Sequence, residues 1–409
     1  MNCRHCRAPL ELSFVDLGSA PPSNAYLTQA QLSAPEKWYP LRVFACRECW
    51  LVQTEDYAHH VELFDGDYAY FSSYSSSWLE HARRYVEATV ARFGLGTQSH
   101  VVEVASNDGY LLQYVHERAI PCLGVEPTAS TAQAAREKGI AVREEFFGVE
   151  LAERLVGEGL AADLSVANNV LAHVPDINDF VAGFARLLKP QGVATFEFPH
   201  LMRLIADCQF DTIYHEHYSY LSLTAVQRIF QYSGLHVFDV AELPTHGGSL
   251  RVFAQRSDTG KHGPQASVNA LLQAEFTAGI TAPDYYSGFQ SRANQIKDNL
   301  LRFLLEAKSA GKTVLAYGAA AKGNTLLNYA GVRGDLLPSV VDLNPAKRGK
   351  CMPGSRIPIV GPEQIEFERP DHVLILPWNL KDEIKGQLAY IRGWGGSFVT
   401  AVPHLEIHR

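Results

Sequence analysis

The chain has 409 residues, of which 46% are hydrophobic and 20% charged, an ordinary globular balance; at about 150 residues per domain this length predicts two or three domains. A formal net charge of −8 argues against a large phosphate-binding surface, so nucleic acid is not an expected partner and an anionic ligand would need a local basic site. The start, Met1-Asn2-Cys3-Arg4-His5-Cys6, lacks the apolar core of a signal peptide, and no apolar run reaches the ~18 residues of a membrane span. Seven cysteines in a chain of this length make no disulfide scaffold, so the expected place is the reducing cytoplasm, with no membrane and no obligate protein partner.

The first module is expected over residues 1–58. It holds Cys3-x-x-Cys6 and Cys46-x-x-Cys49; each pair sets two thiolates on one side of a tight turn, and two such turns complete a tetrahedral four-thiolate zinc site. Nothing in the pattern leaves a coordination position open, so the metal is expected to be structural. His5 is a competing ligand that four thiolates make unnecessary. The turn Ala20-Pro21-Pro22-Ser23-Asn24 breaks the module in its middle. An aromatic, serine-rich stretch follows, Asp67 to Tyr74, and then a helical pattern from Trp78 to about Phe93.

From His100 the chain alternates strands and helices, the pattern of a parallel sheet wound with helices. Val101 to Ala105 is a strand that ends in Ser106-Asn107-Asp108-Gly109. The carboxyl end of a first strand is where open α/β sheets bind ligands. The turn lacks GxGxxG, so a dinucleotide pyrophosphate has no close approach to its backbone. It offers instead Glu103, Ser106, Asn107, Asp108 and Gly109, with Glu126 at the end of the second strand able to accept both ribose hydroxyls. An acid-rich, phosphate-free pocket suits S-adenosylmethionine, with its sulfonium, ammonium and ribose, better than NAD. Asn168 and Asn169 follow the strand around Val166, where methyltransferases often contact the methionine part.

Strand patterns at His236 to Ala241 and Ser249 to Gln255 predict an antiparallel edge. His246-Gly247-Gly248-Ser249 and Arg251 lie on it and could line a substrate pocket; a plain glycine turn with an exposed arginine is the equal alternative. Residues 59–256 are thus expected to form one α/β domain and 257–310 a helical connector, helix-permissive from Gln265 to about Ala310 apart from a break at Thr281-Ala282-Pro283. Residues 311–409 form a second α/β unit, whose turn Gly318 to Thr325 is a near miss to a Walker loop. No lysine follows the second glycine, which disfavours an ATPase. Lys322 and the amides of the following helix, with Asn324, can still receive a diphosphate, and plain packing of strand against helix is the equal alternative.

Tyr214-His215-Glu216-His217-Tyr218 gathers two phenols, two imidazoles and a carboxylate. Proton abstraction beside a carbonyl requires such groups: a base, a partner to orient it, and a hydroxyl for the enolate oxygen. The spacing is not HExxH, and His215 and His217 would not share a helix face. An imidazole with an unperturbed pKa of about 6.5 is a usable base near pH 7.

In this order, CxxC…CxxC, EVASNDGYLLQ, NNVLAHVPD, EFPH, YHEHYSY, HGGSLRVF and YGAAAKGNTLLNY resemble the zinc-binding sugar C-methyltransferases of deoxysugar pathways, over essentially the whole chain. The resemblance implies an α/β protein with a small zinc-binding amino-terminal module, a class I Rossmann-like methyltransferase domain and a second Rossmann-like carboxy-terminal domain that helps hold a nucleotide sugar. It implies S-adenosylmethionine and a nucleotide-linked 4-keto-6-deoxy sugar as substrates, with dTDP the favoured carrier. His217 falls on the base that removes the C3 proton, Glu216 and Tyr214 on its companions, and either Tyr68 or Tyr70 on a further active-site tyrosine. Rival readings are an O- or N-methyltransferase on a sugar or small metabolite, and a zinc-module binding protein with a degenerate methyltransferase fold.

Overall fold

In the computed structural model, which describes residues 1–55 and 71–409, the strands of the described residues form three sheets. The amino-terminal sheet runs Leu12–Ala20, Tyr39–Ala45, Val52–Thr54, all antiparallel neighbours. Its fourth strand, Ser219–Tyr220, comes from far along the chain and pairs with Val52 and Gln53. No local pattern in residues 1–58 signals this completion.

The central sheet has the spatial order Leu235–Leu243, Ser249–Arg256, Leu188–Pro199, Ala162–Asn168, Val101–Val104, Cys122–Val125, Ala141–Arg143. The last five are parallel neighbours and the first two form the expected antiparallel hairpin. All four residues of Val101–Val104 are buried, as a parallel strand covered on both faces requires. The chain leaves this strand to one side and returns to the other, so a ligand crevice opens at its carboxyl end. The helix Ser76–Phe93 begins with the Ser75 side chain accepting the Trp78 amide and ends at Gly94 in the left-handed region.

The carboxy-terminal sheet orders Ile359–Val360, Val340–Val341, Val314–Tyr317, His372–Ile375, Ser397–Thr400 and Glu406–His408, parallel except for the last pair. The connector is two helices, Ala266–Ala278 and Phe289–Ser309, broken as expected around Pro283. Ala293, Ile296, Leu300, Phe303, Leu304 and Ala307 recur at helical spacing on the second helix and are buried. They join the amino-terminal and carboxy-terminal sheets in one core, with Phe14 and Phe289 rings 4.4 Å apart and Trp50 stacked on Tyr286. A second core joins Cys3, Cys46, Cys49 and Leu51 to the central sheet. The amino-terminal module is therefore packed on both sides rather than standing alone. Among the described residues no helix is long and apolar enough to cross a membrane.

Phe289→Ala removes a fully buried ring from the contact between modules and should cost about 3–5 kcal/mol, read as a lower thermal midpoint. Phe276→Ala, on a connector ring that is 65% exposed, should change stability by less than about 0.5 kcal/mol.

Candidate active site and zinc centre

The four cysteines of the two CxxC turns converge, with all four sulfurs within 4.8 Å of one another. Cys3 and Cys49 sulfurs are 3.5 Å apart, as are those of Cys6 and Cys46. Zinc–sulfur bonds of about 2.3 Å set tetrahedral sulfurs about 3.8 Å apart, so the cluster fits zinc. The two turns are copies: the Arg7 amide donates to the Cys3 carbonyl and the Trp50 amide to the Cys46 carbonyl, each 3.0 Å. Arg7 and Trp50 both adopt positive φ. Gln53 Nε2 donates to Cys3 Sγ at 3.2 Å. His5 turns its Nδ1 to Asn178 Oδ1 at 2.7 Å, outside the sulfur cluster. Cys46→Ser should abolish stoichiometric zinc, measured by elemental analysis. It should also lower the thermal midpoint, because folding energy here includes metal binding.

The turn after Val101–Val104 bends sharply. Ala105, Asn107 and Gly109 all have positive φ, and a Cβ on Gly109 would lie 2.5 Å from Ile140 Cδ1. Glu103 is fully buried, and beyond the Tyr110 side chain its carboxylate meets no hydrogen-bond partner among the described residues. Burial, with Asp108 and Glu126 adding like charge, pushes its carboxyl well above the usual range. Ser106 Oγ, Asp108 Oδ1, Asn168 Oδ1 and Asn169 Oδ1 are likewise buried and unmet. Unsatisfied acceptors concentrated in one crevice fit a ligand that brings donors and positive charge. S-adenosylmethionine is such a ligand.

Glu126, expected to face a ribose, is held by backbone partners of its own. Its Oε2 accepts the Asn107 amide at 3.0 Å and its Oε1 the Thr128 amide at 2.9 Å, so one carboxylate ties two turns together. The Ser72 amide donates to Asn107 Oδ1 and the Ser73 amide to Asp108 Oδ2. Ser72 and Ser73 therefore close over this turn, a partnership the sequence does not signal. Tyr68 and Tyr70 lie outside the described residues.

The segment Tyr214–Tyr218 is an irregular turn, closed by the His217 amide donating to the Tyr214 carbonyl at 2.9 Å. Its exit is held by the Thr54 amide donating to the Tyr218 carbonyl and the Tyr218 amide to the Ala172 carbonyl. His217 Nδ1 lies 2.9 Å from the Thr212 carbonyl. A carbonyl only accepts, so Nδ1 carries the proton and Nε2 the free lone pair. The orienting group is this carbonyl, not Glu216. Glu216 Oε1 accepts the backbone and side-chain amides of Asn24, and burial raises its carboxyl. Nor is His217 an unperturbed imidazole. Burial first, then His173, Lys322 and His246, hold it well below the ordinary histidine range. The ring is therefore neutral at physiological pH. The Tyr214 ring centroid is 3.9 Å from that of His217. His215 is spent elsewhere, donating from Nε2 to the Tyr39 and Pro40 carbonyls.

His173, which sequence reasoning did not single out, stands edge-on to His217 at 4.5 Å. It too is kept neutral by burial, at about 4. Its position in NNVLAHVPD, four residues after Asn169, is the one available signal. His246 Nε2 meets Asn169 Nδ2 at 3.2 Å, and burial lowers it to about 4. Arg251 is ion-paired with the fully buried Glu197 at 2.5 Å, beside His81. Its charge is thereby committed within the sheet edge.

The carboxy-terminal glycine turn closes the assembly. Lys322 donates to Asn379 Oδ1 at 2.7 Å and lies over the Trp378 ring. Asn324 Nδ2 donates to the Ser23 carbonyl, next to the Asn24 that holds Glu216. The proline-rich turn of the first module thus sits between the Tyr214–Tyr218 segment and the third sheet. Three modules, distant in sequence, meet around one buried imidazole.

Three family models match successive stretches: a zinc binding domain at residues 3–64, a methyltransferase domain at 78–240, and a C-methyltransferase C-terminal domain at 244–403. The chain is 34% identical over 405 residues to the C-methyltransferase NovU of Streptomyces niveus, covering 99% of this chain and 96% of that one. Among solved structures it is similar to the S-adenosylmethionine-bound magnesium protoporphyrin IX methyltransferase of Synechocystis PCC 6803. There the TM-score is 0.33 and the identity 15%, over 43% of this chain and 79% of that one. An S-adenosylmethionine-dependent methyltransferase of Mesorhizobium loti gives a TM-score of 0.34 and 14% identity, over 44% of this chain and all of the other. The full-length relative and the three consecutive models, on a chain whose four cysteines fit zinc, establish that this protein belongs to the zinc-binding, S-adenosylmethionine-dependent C-methyltransferases.

Proposed function

We propose that the enzyme methylates C3 of a nucleotide-linked 4-keto-6-deoxy sugar, dTDP-linked by preference, through an enolate, as a step of deoxysugar biosynthesis. The observation that carries the reading is His217. It is a buried neutral imidazole with Nδ1 held by a carbonyl and Nε2 free, in a C-methyltransferase.

A hydrogen on carbon needs an adjacent ketone to become acidic enough for an imidazole. In this reading His217 Nε2 takes the C3 proton, the electron pair moves toward the C4 oxygen, and the Tyr214 hydroxyl donates to that oxygen as charge develops. S-adenosylmethionine, when bound, supplies an electrophilic methyl group to the carbon. Glu103, Ser106, Asn107, Asp108, Gly109, Glu126, Asn168 and Asn169 are assigned to hold it. Glu216 and Asn24 set the wall beside the base, and His246 borders the cofactor side through Asn169. Lys322, with the amides that open the helix Ala321–Ala330, is assigned to the diphosphate, and Asn324 to fixing that turn. Arg251 acts on the pocket through Glu197 and not by direct contact. The zinc site stands apart from these groups and enters no chemical step. The reading divides the chain as the sequence did, at residues 58, 256 and 310, with the reaction at the meeting of the parts.

The test is purified protein with labelled S-adenosylmethionine and a panel of dTDP-4-keto-6-deoxy sugars. Wild type should place the label on sugar carbon and exchange C3 hydrogen with solvent deuterium. His217→Asn should lose both by at least about 100-fold. Label on oxygen or nitrogen, without C3 exchange, would overturn the enolate route. Because the folded pKa of His217 is depressed, the base form persists as pH falls through 6.5. The rate with the keto sugar should therefore stay level there, and its acid limb should lie below the ordinary histidine value.

A further inference from the structure

We infer that Trp378 and Thr325 of the carboxy-terminal domain are positioning residues for the base: they clamp the turn whose Thr212 carbonyl orients His217. The inference rests on the reading of His217 as the base. The short helical turn Phe210–Thr212 belongs to no sheet, yet its inner side supplies the carbonyl that accepts Nδ1 at 2.9 Å. Its outer side is met almost entirely by the other domain. Trp378 Nε1 donates to Asp211 Oδ2 at 2.7 Å. Thr325 Oγ1, on the helix Ala321–Ala330, donates to the Ile213 carbonyl at 2.8 Å. One turn further along that helix, Tyr329 packs edge-on against Phe210 at 5.4 Å.

Two contacts show that the fit is built. Asp211 is fully buried, and its Oδ1 has no partner among the described residues. The indole is thus the sole side-chain donor described for that carboxylate, and its removal would leave the buried group to the backbone amides of Asp211 and Thr212 and the charge of Lys322. On the opposite side, Gly247 at φ +89 leaves room for the Trp378 ring, since a Cβ there would lie 2.5 Å from Cη2. Gln209 Nε2 donates to the Gly247 carbonyl at 2.8 Å, so the glycine turn and the 210–213 turn grip the indole together. A base misplaced by about 1 Å can lose on the order of 100-fold in rate. The domain that carries Lys322 and Asn324 therefore also decides where Nε2 points.

Trp378→Phe and Thr325→Val, made in the full-length zinc-loaded enzyme, should each lower kcat by about 10- to 100-fold. KM for sugar and for S-adenosylmethionine should stay within about 2-fold. Thr325→Ser, which keeps the hydroxyl, should restore kcat. A second readout needs no turnover: long-range proton–nitrogen spectra of histidine-labelled protein, with the His217 signals identified by their loss in His217→Asn. Wild type should show the Nδ1–H tautomer, and the two variants a mixture of tautomers. Folded variants that keep both kcat and the single tautomer overturn the clamp. If His217→Asn itself retains turnover, the base reading fails by itself, and the tautomer signals of Trp378→Phe still decide whether the clamp exists.

Discussion

Two residues, Ser219 and Tyr220, complete a sheet that begins more than a hundred positions earlier, and the site depends on that pairing. By adding to Val52–Thr54 as an edge strand, they fix the exit of the Tyr214–Tyr218 turn. Thr54 contributes through both its amide and its hydroxyl, which donate to the carbonyls of Tyr218 and His217. An irregular turn has little internal hydrogen bonding to define it, so its geometry is borrowed from the elements that border it. Here the borders are three: the zinc-bearing module, the helical turn Leu171–His173 of the methyltransferase domain through Ala172, and the carboxy-terminal domain through Thr325 and Trp378.

This arrangement gives the zinc a role without chemistry. Cys49 is followed within a few residues by Gln53, which donates to Cys3 Sγ and also accepts the Arg4 amide through Oε1 at 2.8 Å. Arg4 in turn reaches the Thr54 carbonyl with Nη2 at 3.0 Å. The metal cluster thus stiffens the strand onto which the exit of the Tyr214–Tyr218 turn is paired. A small module with a thin core of its own needs such a staple. The same module packs Phe14 and Trp50 on the connector helices, which carries its rigidity to the third domain.

Burial sets the electrostatics of the site. It lowers His173, His217 and His246 and raises Glu103, Glu216 and Asp211, the last to about 6. A buried crevice whose imidazoles are neutral and whose acids are harder to ionise strengthens the dipoles and the Lys322 charge that remain, because the local dielectric is low. It also explains why the orienting partner of His217 is a backbone carbonyl. A carboxylate there would favour the imidazolium and raise the pKa. The carbonyl fixes the tautomer at far smaller electrostatic cost to the free base.

Much was legible from the order of residues alone. Cys3-x-x-Cys6 and Cys46-x-x-Cys49 announce the metal because ligand spacing is a local property of two turns. The parallel strands at Val101, Cys122 and Ala162, the hairpin at Leu235–Arg256 and the connector break near Pro283 follow from apolar runs and breakers, which act over a few residues. The density of titratable groups at Tyr214–Tyr218 marked a segment that the structure sets where the three modules meet. What each group does there was decided only by tertiary structure. Glu216 faces Asn24, Arg251 faces Glu197, and His217 takes its orientation from Thr212. Asp211 and Trp378 stand beside these groups without a motif of their own, and His173 only as a member of NNVLAHVPD. Spacing along the chain encodes turns and faces, but a hydrogen-bond partner across modules depends on how three cores close together, and no local pattern records that.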